Sequence, residues 1–187
     1  MARNPELNQM RLAIEALKRG DVIAYPTESV FGLGCRADDR SAVMRILELK
    51  GRPVEQGVIV LIGRLDQLGD WVKSLDSDQL GRLEATWPGP VTWLLPVTDR
   101  CPTWLRGAHD TLAVRHSPHP VCEHLVTELD TPLVSTSANR SGEAPARTAA
   151  EVRAAFPEGI DYIVDSPVGD AAAPSEIRDL KTGRRLR

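Results

Sequence analysis

Cysteine, aromatic side chains, long apolar runs and excess charge are all scarce in this chain of 187 residues. The three cysteines, Cys35, Cys101 and Cys122, form no C-x-x-C pair, and their odd number fits reduced thiols. No apolar run approaches the roughly 18 residues that a membrane-spanning helix needs. The N-terminal stretch MARNPELNQMRLAIEALKRG carries Glu6 and Glu15, so it lacks the uninterrupted apolar core of a signal peptide. A cytoplasmic protein without a membrane association is the expectation. Only two Phe, two Tyr and four Trp are present, which leaves few platforms for base stacking. A formal net charge of −3 argues against a generally basic nucleic-acid binder. Neither G-x-x-x-x-G-K-[ST] nor G-x-G-x-x-G occurs, so any nucleotide site must be assembled from separate loops.

What the chain does have is a regular succession of helix and strand signals. Its length suits one domain, able to bury about 70% of its unfolded surface. Asn4 and Pro5 suit an N-cap and first helical position; Leu7, Met10, Ile14 and Leu17 follow at helical spacing, and Gly20 stops the run. DVIAYP reads as a buried strand entering the loop PTESVFGLG. SAVMRILELKG reads as a helix closed by Gly51. GVIVLIG is an apolar strand, followed by two weaker helices around residues 65–73 and 76–86. WPGPVTWLLPV places a rigid turn before a strand, DTLAVRH is a further strand, and PVCEHLVTEL a helix. TPLVSTS is a strand, TAAEVRAAF opens on a capping box of Thr148 and Glu151, and DYIVD and SEIRDL are closing strands. The alternation predicts an α/β domain with a twisted, mixed sheet and flanking helices.

Three strand or helix exits carry polar chemistry. PTESVFGLG holds Thr27, Glu28 and Ser29, with Gly32 and Gly34 admitting a close approach to the backbone. LKGRP sets Lys50 and Arg52 two positions apart. Cations at a helix end complement its dipole, whereas a point charge beside a bidentate fork suits a polyphosphate. On the phosphate reading, both residues contribute little to folding. LVSTSANRSG crowds Ser135, Thr136, Ser137, Asn139, Arg140 and Ser141 into one segment. It reads either as an ordinary turn or as a cradle for anionic oxygens. His116, His119, Cys122 and His124 fall within nine residues, but two prolines interrupt them and the spacing matches no standard zinc pattern, so no zinc is expected. No serine pairs obviously with a His and an Asp for acyl transfer.

YPTESVFGLG, LELKGRP, WPGPVTWLLP, DTLAVR, PLVSTSANRSG and PSEIRD, in this order, resemble the YrdC-like family of threonylcarbamoyl-AMP synthases. The resemblance runs from about residue 10 to the end and is closest to the short, bacterial, single-domain form, so one domain over residues 1–187 is expected. It implies a mixed α/β fold with a concave, positively charged site. The implied reaction joins L-threonine, bicarbonate and ATP into threonylcarbamoyl-AMP and pyrophosphate, with Mg²⁺ bridging the phosphates. Other proteins would then transfer the threonylcarbamoyl group to an adenosine beside the tRNA anticodon, with tRNA contact a further implication.

By the same resemblance, the K-x-R and S-x-N motifs fall on Lys50, Arg52, Ser137 and Asn139 as catalytic residues. Nucleotide contacts fall on Lys50, Arg52, Gln56, Thr111, Ser137, Pro145 and Arg187. Threonine contacts fall on Thr27, Ser29, Arg115, Ser135 and Ser175. Leu61 stands where some longer relatives have a His near threonine, and Phe31 replaces a frequent Tyr. A competing reading is a non-catalytic module of the same fold that binds double-stranded RNA or tRNA. The tail RDLKTGRRLR would supply its charge, with Arg36, Arg45 and Arg64 on a rim. The acidic balance and few aromatics weigh against it.

Overall fold

The computed structural model describes residues 5–187. The first helix, α1 (Pro5–Lys18), follows the expected spacing, although the proposed cap Asn4 lies outside the described residues. Met10, Ile14 and Leu17 are buried, whereas Leu7 is 64% exposed, so the packed stripe begins one turn later than the sequence pattern indicates.

Strand β1 (Ile23–Pro26) turns through residues 27–30 into β2 (Phe31–Gly34), its antiparallel partner. The sequence pattern predicts a loop over that second stretch, because Gly32 and Gly34 mask its alternation. Gly34 is there for space. A Cβ at Gly34 would stand 2.6 Å from the Tyr25 ring and 2.7 Å from the carbonyl of Val134.

Helix α2 (Arg40–Lys50) starts where the Asp39 carboxylate accepts the N–H of Ala42 and ends on Gly51, whose φ of 61° only glycine adopts freely. A short 3-10 turn and strand β3 (Ile59–Leu61) follow. Of the two weaker helices expected next, the first is only a 3-10 turn, Leu65–Leu68, stopped by Gly69 at φ 53°. The second is α3 (Ser77–Glu84), with a reciprocal cap between Asp76 and Gln79. Strand β4 (Val91–Pro96) leads to α4 (Thr103–Arg106), a single turn that no periodic pattern in the sequence marks. The remainder matches expectation: β5 (Thr111–Arg115), α5 (Pro120–Leu129), β6 (Leu133–Ser137), α6 (Ala149–Ala155), β7 (Tyr162–Ile163) and β8 (Glu176–Asp179). At α6 the Thr148 hydroxyl accepts from Glu151, but the Glu151 carboxylate takes the N–H of Arg147 instead of closing the box.

All eight strands join one mixed sheet, in the order β7-β1-β2-β6-β3-β5-β4-β8. Side chains alternate between its faces. Ile23, Tyr25, Leu61 and Leu133 pack with α1 and α5, whereas Ala24, Val60 and Val134 pack on the other side with Val43, Ile46 and Leu47 of α2. The registers carry the α1/α5 face from Tyr25 through Gly32, Ser137 and Ser135 to Ile59, Ala113 and Leu94. Beyond the helices, that face forms the floor of a cavity.

Candidate active site

The cavity holds about 480 Å³. Its floor is kept low by Gly32, Ala113 and Ser135, small residues at strand centres. Its walls are the β1–β2 turn, the segment after α2, the end of α4, and the C-terminal strand with the tail behind it.

Thr27, Ser29, Arg52, Gln56, Thr111, Arg115, Ser135, Ser137, Ser175 and Arg187 all line it. Lys50, Asn139 and Pro145 are not among the lining residues. Lys50 is 4% exposed and donates from Nζ to the carbonyls of Ser137 at 2.6 Å and Asn139 at 2.7 Å. Helix α2 thus pins the exit of β6 from behind, across 87 residues of sequence. Burial, and the charge of Arg52 beside it, push the Lys50 pKa down to about 8. Asn139 stays in its own loop, its Nδ2 donating to the carbonyls of Arg140 and Glu143, while its buried Oδ1 has no partner. Pro145 precedes Ala146, whose carbonyl takes the N–H of Phe31 at 2.8 Å, so this segment braces the start of β2.

Charge is arranged unevenly around the cavity. Arg115 meets Glu28 at 2.8 Å, both largely buried, and its Nε donates to the carbonyl of Gly89. The same Glu28 oxygen accepts the hydroxyl of Ser117, and the other oxygen is buried without a partner. Arg52 donates twice to the carbonyl of Gly57, at 3.2 and 2.9 Å, and burial lowers its pKa. Ser175 shares a hydrogen bond with Thr92 at 2.8 Å. The tail is ordered by pairing: Leu186 donates to the carbonyl of Ile177, and the Arg187 guanidinium donates to that of Ser175 at 3.1 Å.

Sequence reasoning missed Arg106, His109 and Ser117, which also line the cavity. Ser117, two residues past Arg115 at a strand exit, was within reach of the pattern. Arg106 and His109 sit on the unrecognised α4 and its loop, and nothing local marks them. Within the histidine cluster, His119 serves the start of a helix. His119 is 8% exposed, burial lowers its pKa, and its Nδ1 accepts the N–H of Val121 at the start of α5. No group of three potential metal ligands occurs among the described residues.

A family model described as telomere recombination, Sua5/YciO/YrdC, matches residues 15–187. The chain belongs to the Sua5/YciO/YrdC family. The threonylcarbamoyl-AMP synthase of Nitrosococcus oceani is 50% identical over 179 residues, 96% of this chain and 97% of that protein. The threonylcarbamoyl-AMP synthase of Xanthomonas campestris pv. campestris is 50% identical over 189 residues, the full length of both. The solved structure of P. abyssi Sua5 complexed with L-threonine is similar at a TM-score of 0.87 and 34% identity. That match covers 96% of this chain and 52% of the other, so the chain spans about half the length of that Sua5.

Proposed function

We propose that the chain is a threonylcarbamoyl-AMP synthase and that the cavity is where L-threonine, bicarbonate and ATP react. The observation that carries the reading is the lining itself, in which four arginines, Arg52, Arg106, Arg115 and Arg187, share one wall system with the hydroxyls of Thr27, Ser29, Ser135, Ser137 and Ser175. Full-length similarity to proteins of that name supports it independently.

The chemistry explains why such residues suffice. The threonine ammonium and bicarbonate combine to a carbamate, with loss of one water and one proton. A carbamate oxygen then attacks the α-phosphorus, the bond from that phosphorus to the bridging oxygen breaks, and pyrophosphate leaves. The nucleophile is already anionic, so the protein's task is alignment and charge compensation. Arg115, fixed by Glu28 and the Gly89 carbonyl, is the cation for the threonine carboxylate, with Thr27, Ser29, Ser135 and Ser175 around it. Arg52 and Gln56 face the phosphates, Thr111, Ser137 and Arg187 the nucleotide, and Lys50 with Asn139 shapes the end of β6 where Ser137 stands. Magnesium would accompany ATP as its counter-ion. One oxygen of the lining carboxylate Glu28 is tied to Arg115 and Ser117 and the other is buried, so phosphate oxygens would hold the ion. The product then passes to the proteins that modify the tRNA adenosine.

The RNA-binding alternative draws less support. Arg36, Arg45 and Arg64, its rim, are each paired with an aspartate: Asp38, Asp161, and both Asp66 and Asp130. No helix among the described residues is long and apolar enough to cross a membrane. The reading is tested by pyrophosphate release from ATP: release that needs both L-threonine and bicarbonate supports it, and RNA binding with no turnover favours the alternative.

A further inference from the structure

The arginines of the cavity differ in what balances them. Arg115 has Glu28. Arg52 and Arg106 have no ion pair among the described residues; their guanidinium bonds run to backbone carbonyls, those of Gly57 and His109. The Nε of Arg106 is buried and has no partner at all.

Both arginines belong to one locked piece of backbone. Val58 donates to the carbonyl of Leu105 at 2.8 Å, and Ala108 donates to that of Glu55 at 2.9 Å, tying the end of α4 to the segment that carries Gln56. Two glycines allow the contact. A Cβ at Gly57, whose φ is 65°, would lie 3.0 Å from the carbonyls of Leu105 and Arg106, and one at Gly107, at φ 63°, would lie 2.3 Å from the Glu55 carbonyl. Two guanidinium ions without carboxylates, on a rigid wall of one cavity, are arranged for an anion of more than one charge.

We propose that Arg106 acts with Arg52 to hold the β- and γ-phosphates of ATP and the pyrophosphate that departs. The inference rests on the synthase reading for its ligand, and adds to it a phosphate contact from α4. As the bond to the α-phosphorus breaks, negative charge grows on the leaving group, and a guanidinium already in place stabilises it without reorganisation.

The test is binding of magnesium pyrophosphate, by calorimetry, to the full chain and to Arg106→Ala and Arg106→Lys, with melting temperatures on the same preparations and turnover in parallel. Arg106→Ala is expected to weaken pyrophosphate binding by about tenfold or more, the worth of a charge-assisted bond, and to raise the KM for ATP while the KM for threonine holds. Arg106→Lys should fall between, and it carries the test if the alanine variant does not fold. Unchanged pyrophosphate affinity with only a lower melting temperature would overturn the proposal and leave Arg106 a strut for the His109 loop. Failure of the broader reading looks different: the wild type would release no threonine-dependent pyrophosphate, whatever Arg106 binds.

Discussion

Lys50 directs its charge inward, onto the carbonyls of Ser137 and Asn139, and this changes what its removal should do. A phosphate ligand could be lost with little effect on folding, as the sequence pattern suggests. A buried clamp cannot, because two carbonyls lose a donor, at about 1–3 kcal/mol. Lys50→Met is therefore expected to lower the melting temperature by several degrees and to cut turnover by misplacing Ser137; calorimetry beside the pyrophosphate assay checks both. The pH dependence has a defined sign. The folded pKa, about 8, lies below the ordinary lysine value, so between them the unfolded chain binds more protons. The penalty for burying the charge is fully present below about pH 8 and is relieved as pH rises above it. Denaturation midpoints should thus show wild type gaining stability relative to Lys50→Met over that window; a constant difference would mean that the ammonium is not strained by burial. Arg52→Lys should rescue activity poorly, since an ammonium cannot keep the double contact with Gly57 and make the proposed contact with a phosphate together. The motif K-x-R was legible in the sequence. The partner of Lys50 was not, because a four-carbon arm reaches carbonyls 87 and 89 residues away.

Among the elements, the β1–β2 turn and the strap before β8 form a unit. Gly169 donates to the carbonyl of Thr27 and Ala171 to that of Glu28, so residues 169–171 lie along the turn that carries Thr27 and Ser29. A Cβ at Gly169 would sit 2.9 Å from the Glu28 carbonyl oxygen and 3.0 Å from its Cα. Gly169→Ala should push the turn inward and raise the KM for threonine severalfold, while the KM for ATP changes little; equal effects on both would show that the turn does not serve threonine alone. Long elements with a clear period, such as α1, α2 and α5, were readable from spacing and caps. β2 and α4 were not: one is four residues interrupted by two glycines, of which Gly34 is demanded by Tyr25 and Val134, the other a single turn held by tertiary bonds to residues 55–58. Arg106 went unnoticed for that reason.

At the scale of the molecule, one sheet face carries two tasks: around Ile23, Tyr25, Leu61 and Leu133 it is sealed by α1 and α5, and from Gly32 through Ser135 and Ile59 to Ala113 and Leu94 it is the cavity floor. The α/β class and the loops that matter were legible from the alternation of elements and the six motif stretches. The strand order was not, since β6 lies between β2 and β3, and β8 beside β4, through pairings that no local pattern encodes. Gathered by that order, four arginines and one side-chain carboxylate, that of Glu28, line the cavity among the described residues, in a chain whose net charge is −3. The most direct test is to incubate the chain with magnesium ATP, bicarbonate and L-threonine, and to follow pyrophosphate and the adenylate product by mass. The account predicts threonylcarbamoyl-AMP and pyrophosphate in equal amounts, both abolished when threonine or bicarbonate is omitted. Pyrophosphate released without threonine, or no adenylate carrying the threonylcarbamoyl mass, would contradict it.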